Sequence, residues 1–329
     1  MTKIDYLKAL ATISVIILHS VPTKALYPTF SQLHIWNAVP VFIILMSFTT
    51  YISLSKKDSC LKNLYSFEYL KKRFKRILIP LIPVFILTLI IAKILNKDIY
   101  LGWQTFIGHM PLVGKGNYYI TLLIEYIILS PLLYWTYKKF RIKSIVYSLF
   151  INFGFELICK FIEPDHYLYS SFIFRYLFLI YLGFYLFEII KSNFKLNTYI
   201  FIGFAFSFIY LILCSIVNLK LPLFLDSWKT QLFISNFYPI ILVYLLFKFL
   251  PHNLDIVIPI GKASYHIFLT QMVYFSVDPV KNILELANMP AAVVLLISLI
   301  INIIICLTIG IFFFKINSIY VNTKQQKIG

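Results

Sequence analysis

Residues 290–314 read PAAVVLLISLIINIIICLTIGIFFF, 25 consecutive positions without one charged side chain. At about 1.5 Å per residue, a helix of that length exceeds the roughly 30 Å of a bilayer's hydrocarbon core. Several other runs of about 18 residues or more carry few or no charges, close to the roughly 20 apolar residues that a membrane-crossing helix needs. Only 13% of the 329 residues are charged and 60% are hydrophobic. A soluble domain is charged at about a quarter of its positions. The chain therefore reads as an all-α polytopic membrane protein.

Hydropathy predicts about ten transmembrane helices: 9–27, 33–55, 77–95, 117–137, 144–162, 171–190, 197–217, 232–250, 256–277 and 290–314. Pro22 and Pro259 interrupt the first and the ninth. Lys3 and Lys8 before the first apolar run suggest a signal peptide, but no small-residue cleavage pattern follows, so the segment reads as a retained helix. With ten spans both termini share a side. If that side is cytoplasmic, segments 3–8, 56–76, 138–143, 191–195, 248–262 and 315–327 hold 21 of the 30 basic residues, Lys195 and Lys327 among them. The positive-inside bias thus predicts an N-in, C-in topology. The longest connections are about 56–76 inside and 96–116 outside. Neither is long enough to fold as a soluble domain, so residues 1–329 read as one transmembrane domain with no appended soluble one. No internal repeat is visible, which disfavours inverted-repeat transporter folds.

The net charge of +17 does not indicate nucleic acid, because the basic residues lie between apolar runs. They read as topology signals and as contacts to lipid or to anionic ligands. The four cysteines, Cys60, Cys159, Cys214 and Cys306, are scattered and suggest neither a disulfide framework nor a metal site.

Ionisable groups within spans are costly and are candidates for function. His19, Glu125, Glu156 and Arg175 are such groups. Each also has a structural reading: a buried histidine bonding a carbonyl, or Glu125 and Arg175 pairing between helices. His19 is set apart by Lys8, eleven positions earlier. On a helix that spacing returns to nearly the same face about 16 Å away. A charged anchor at the cytoplasmic interface and an imidazole three turns deeper suit a long ligand with an anionic head and a reactive end. Histidine is the side chain best matched to proton transfer near neutral pH. Asp5, three residues before Lys8, reads as its ion-pair partner.

The second signal is YLKKRFKRILIP, residues 69–80. Arg73 and Arg76 are three apart and share a helix face, with Lys72 and Lys75 beside them. Guanidinium forks match phosphate oxygens, so the pair suits a phosphorylated cofactor. The competing reading is a juxtamembrane cluster on anionic lipid, and on charge alone that reading leads.

These two motifs, in this order, resemble the acyltransferase-3 family of integral membrane acyltransferases. The family carries a basic residue, ten residues and a histidine in its first helix, here Lys8 to His19. It also carries Arg-x-x-Arg before its third helix, here Arg73 and Arg76. Softer likenesses cover most of the chain: VPVFIILMSF (39–48), NYYITLLIEYIILSPLL (117–133), FRYLFLIYLGFYL (174–186) and IGKASYHIFLTQ (260–271). Two departures stand out. The first-helix basic residue is often arginine and is Lys8 here. A late segment that ends on histidine in many relatives ends on Gln271, so no catalytic role is assigned there.

The resemblance implies transfer of an acyl group, most often acetyl and in some relatives succinyl, from cytoplasmic acyl-CoA to a carbohydrate hydroxyl. The acceptor would be a cell-surface glycan, exopolysaccharide or lipid-linked sugar. It implies an enzyme of the plasma membrane with no permanently bound cofactor, working beside polysaccharide-synthesis proteins. Arg73 and Arg76, with Lys8 or Lys72, would hold the CoA phosphates. His19 would act as general base or acyl carrier, and Glu125 would orient the imidazole. The acceptor would approach over outer loops 22–32, 96–116 and 162–171, whose Tyr27, Trp103, His109 and Tyr167 read as interfacial anchors or as sugar-stacking groups. A transporter or flippase for a glycan or lipid-linked sugar is the rival reading; it would need no acyl donor.

Overall fold

The computed structural model describes residues 2–58, 60–112, 114–192, 196–225, 229–251, 254–286 and 290–326. Lys195 and Lys327 lie outside the described residues. Ten long helices form the frame: α1 (Thr2–Ser20), α2 (Ala38–Leu54), α3 (Phe67–Ile94), α4 (Tyr118–Phe140), α5 (Ile142–Ile162), α6 (Leu177–Ser192), α7 (Thr198–Ile216), α8 (Phe237–Phe249), α9 (Ile258–Val277) and α10 (Ala291–Gln326). No strand occurs among the described residues.

Seven helical segments among the described residues are long and apolar enough to cross a membrane: Ser31–Leu54, Leu61–Ile94, Tyr118–Phe140, Ile142–Ile162, Ile173–Ser192, Thr198–Ile216 and Ala291–Tyr320. The other three long helices fall short for visible reasons. Three charges stand in the first two turns of α1, Lys3, Asp5 and Lys8. Only 13 residues make up α8. Lys262, His266 and Gln271 interrupt the apolar run of α9. Large aliphatic and aromatic side chains point outward along the spans, among them Ile82, Ile86 and Ile90 of α3 and Phe150 and Phe161 of α5. Water would penalise such patches, whereas lipid accepts them.

Several boundaries differ from those predicted, and the last helix runs on past 314 to Gln326. The first helix starts at Thr2 and stops at Ser20, so His19 sits in its last turn and not mid-span. Pro22 explains the stop, since the residue before a proline is pushed out of the helical region. The third helix starts at Phe67, ten residues earlier than its apolar run, because the basic cluster is itself helical. Pro259 does not interrupt the ninth helix; it occupies the first turn, where a missing N–H costs nothing.

The chain forms two compact units. The first comprises Met1–Ala25, Lys75–Asn117 and Pro251–Gly329; the second comprises Leu26–Phe74 and Tyr118–Leu250. In the first unit α1 packs along α9, and α10 packs against both. Ile16, Ala263, Ile267, Phe275 and Cys306 make the core between them. The helices approach most closely at Gly261, where a β-carbon would overlap the Asp5 carbonyl oxygen. Gly261→Ala is therefore expected to pry α1 from α9 and destabilise the protein by about 1–3 kcal/mol or more. A clear fall in the melting temperature of the purified variant checks this; an unchanged melt would refute it.

In the second unit α2 packs on α6, α6 on α5, and α7 on α8. The Glu188 carboxylate gathers the hydroxyls of Tyr51 (3.2 Å) and Tyr137 (2.7 Å) with the cations Lys138 (3.6 Å) and Arg141 (3.3 Å). Arg175 and Glu156 are both 0% exposed and pair at 3.7 Å. The expected pairing of Glu125 with Arg175 thus gives way to Glu156, while a Glu125 oxygen accepts the Ile173 backbone N–H at 2.8 Å.

Candidate active site

Helix periodicity places Lys8 and His19 on one stripe of α1, as their spacing requires. Lys8 is paired with Asp5 at 3.4 Å, as their spacing of three on a helix predicts. At the other end, the last carbonyls of α1 have no partner within the helix. The loop 96–117 supplies one: the Lys115 ammonium donates to the His19 carbonyl oxygen at 2.8 Å. The His19 ring meets Phe275 of α9 edge to face, with centroids 5.7 Å apart and planes at 81°. Lys115 also lies 5.8 Å from the centre of the Phe275 ring.

Gly116 closes this corner. Its φ of +86° is a left-handed conformation that side chains resist, and a β-carbon there would stand 3.7 Å from His19 Cε1 and 3.2 Å from Phe268 Cε2. The left-handed backbone and the nearness of the Phe268 ring are what favour glycine at 116. Positions 268, 271 and 275 follow helical spacing along one side of α9. Gln271 therefore stands between Phe268 and Phe275 on that side; it is buried, at 1% exposure, and its Oε1 has no hydrogen-bond partner.

His19 Nδ1 is buried and likewise without a hydrogen-bond partner. A buried polar atom left so calls for an explanation, and a bound substrate group is one that suits an imidazole. A half-buried imidazole at a helix end, edge-on to the Phe275 ring and with the exposed Lys115 ammonium at its own carbonyl, has the parts that proton transfer needs.

Among the other sequence candidates, the first unit also holds Arg76, exposed on α3 and within electrostatic range of His266. His266 is buried between Phe313 and Phe314, and its Nε2 is 3.0 Å from the Asn317 amide nitrogen. The second unit holds Lys72, Arg73 and Glu125. Lys72 is exposed. Arg73 is half-buried; its guanidinium donates to the Thr49 carbonyl at 3.2 Å and stands 5.3 Å from the Tyr69 ring centre. Tyr69 is itself fixed by a 3.1 Å bond to Ser130. Among the described residues no group of three histidine, cysteine or acidic side chains is placed to hold a metal.

Sequence reasoning missed Lys115, Gly116 and the Phe268–Phe275 wall. The one signal available was the Gly-Lys-Gly run at 114–116 just before α4, a turn-forming sequence with a cation at its centre. Of the predicted outer-loop aromatics, Trp103 is exposed, His109 stacks on Tyr100 at 4.5 Å, Tyr27 meets Trp36 at 5.4 Å, and Tyr167 bonds the Thr121 hydroxyl.

Comparison with protein families found one match: the family model described as an acyltransferase domain, of the acyltransferase-3 type, aligns with residues 1–311. Comparison with curated proteins gave no match, and neither did comparison with solved structures.

Proposed function

The chain belongs to the acyltransferase-3 family, which makes it a membrane acyltransferase, and from that premise we propose that it moves an acyl group from cytoplasmic acyl-CoA to a hydroxyl of a glycan, exopolysaccharide or lipid-linked sugar. Acetyl is the proposed group. The topology that serves this reaction is N-in, C-in with about ten spans in the plasma membrane. The three helices least suited to lipid, α1, α8 and α9, then cross within the protein's shelter. Two of them, α1 and α9, carry His19 and its walls, and a helix that holds polar catalytic groups is expected to be the less apolar one.

The observation that carries the reading is His19: a half-buried imidazole whose Nδ1 is buried and unpartnered, on the stripe that begins at Lys8. It is proposed as the general base for the acceptor hydroxyl. Arg76, exposed, and Arg73, one turn earlier on α3, are proposed to take the CoA phosphates, with Lys72 adding charge at the same helix turn. Lys8 is already paired with Asp5, so its share in phosphate binding is smaller than that of the arginines. Glu125 is held by the Ile173 N–H and is retained only as a carboxylate whose replacement merits measurement. Polysaccharide-synthesis proteins are the expected neighbours, since they present or consume the acceptor.

The test is donor dependence. Full-length protein in nanodiscs, given acetyl-CoA or succinyl-CoA with membrane glycan extract, is expected to bind CoA and to release free CoA as acylated glycan forms. Folded protein that neither binds CoA nor releases it from either donor would refute the reading. Glycan movement across proteoliposomes without any donor would replace it with the transporter.

A further inference from the structure

We infer that Lys115 is a catalytic residue of this reaction, carrying the negative charge that develops on the thioester carbonyl oxygen. The inference rests on the proposed acyl transfer. Its ground is the juxtaposition of the Lys115 ammonium, 2.8 Å from the His19 carbonyl and 5.8 Å from the Phe275 ring, with an imidazole that faces the same ring.

Acyl transfer makes a definite electrostatic demand. The His19 imidazole takes the proton of the acceptor hydroxyl, and the oxygen forms a bond to the thioester carbon. The carbonyl π pair moves onto oxygen, giving a tetrahedral oxyanion. When that pair returns, the C–S bond breaks, and the CoA thiolate leaves with the proton from the imidazolium. The oxyanion needs a donor within a few ångströms of the base. Preorganised donors of this kind supply the largest single part of many rate enhancements. The exposed Lys115 ammonium, held at the backbone carbonyl of the base itself, is the cation that the structure brings to this end of α1, and an ammonium has three rotatable N–H donors on a flexible stem.

A simpler role would be to cap the carboxyl end of α1, since lysines often bond the last carbonyls of a helix. The same loop contains a lysine that does only this: Lys97 donates to the Ser276 carbonyl at the end of α9, at 2.7 Å. Lys115 differs in its setting. It lies between two glycines that each permit a close approach. A β-carbon at 114 would stand 2.8 Å from the Met272 carbonyl oxygen, and one at 116, in a left-handed backbone, would crowd Phe268 at 3.2 Å and touch His19. A cap needs no such fit. A charged group that must stay in register with an imidazole does.

Lys97 is thus the built-in control. Lys115→Met, Lys115→Arg and Lys97→Met are compared with the wild type in nanodiscs by turnover with donor at saturation, donor KM, CoA binding and melting temperature. Lys115→Met is expected to lose about 10²–10³-fold in kcat with CoA affinity unchanged. Lys115→Arg is expected to recover much of the loss, and Lys97→Met to keep wild-type kcat even where its melt falls. Wild-type turnover in Lys115→Met, or equal losses in Lys115→Met and Lys97→Met tracking their melts, would overturn the inference and leave the acyl-transfer reading intact. A wild type that binds and releases no CoA would overturn both, and that failure shows in the wild type alone.

Discussion

His19→Ala is expected to lower acyl transfer by about 10²–10⁴-fold, the range that a positioned general base contributes, while CoA binding and the fold persist. The fold should persist because His19 contributes little to it. Its Nδ1 bonds nothing, and the one ring contact shown for it is the edge-to-face approach to Phe275. Such a pair is worth about 0.5–1.5 kcal/mol. The groups that hold this end of α1 act elsewhere: Lys115 bonds the backbone carbonyl of residue 19, which alanine keeps, and Asn302 joins Ser20 (3.2 Å) to Tyr274 (2.6 Å). Donor binding should persist because the phosphates are assigned to α3. The readout is CoA release and acyl-glycan formation beside a melting curve and a CoA titration. Full activity in His19→Ala would remove the imidazole from the chemistry. Loss of CoA binding would make it a donor-binding residue instead. The same preparation separates base from acyl carrier: wild type quenched with donor and no acceptor shows an added acyl mass on the His19 peptide only if the ring carries the group.

Where the candidate residues fall along their own helices was legible in the sequence. Lys8, His19, Arg73 and Arg76 follow from periodicity alone, and the structure keeps each pair on its helix. What failed was where helices begin and end. Hydropathy locates the apolar stretch, but α1 and α3 extend past theirs into charged turns, Thr2–Lys8 and Phe67–Arg76, which complete the backbone ladder all the same. Contacts made by a loop were not legible. Nothing in the order of residues says that Lys115 reaches a carbonyl 96 positions earlier, or that Gly116 closes on Phe268. The same limit applies to ion pairs. Glu125, Glu156 and Arg175 are each visible as charges in apolar surroundings, but which carboxylate meets the guanidinium depends on how α4, α5 and the turn before α6 pack.

That pairing sets the largest expected loss of stability. Arg175→Met is expected to destabilise the protein by about 3–5 kcal/mol, the penalty for leaving one member of a buried ion pair without the other. Arg175 and Glu156 are both fully buried. One Glu156 oxygen accepts the Tyr169 hydroxyl, while the guanidinium lies over the Tyr169 ring at 4.1 Å and 5.8 Å from that of Tyr176. Tyr176 in turn donates to the Ser170 carbonyl at 2.9 Å and bonds the Gln231 side chain at 3.0 Å. Methionine fills most of the arginine's volume, so little of the loss is cavity; it comes from the stranded carboxylate. The double variant Arg175→Met/Glu156→Leu removes that charge as well and should regain much of the stability, since a buried pair is often no better than an apolar pair of the same size. Melting or denaturant unfolding of the two variants in detergent decides the point. If the single variant melts like the wild type, the pair is not buried in the folded protein. If the double variant is no more stable than the single, the guanidinium's stacking on Tyr169 and its approach to Tyr176 hold this region, and the charge of Glu156 is secondary.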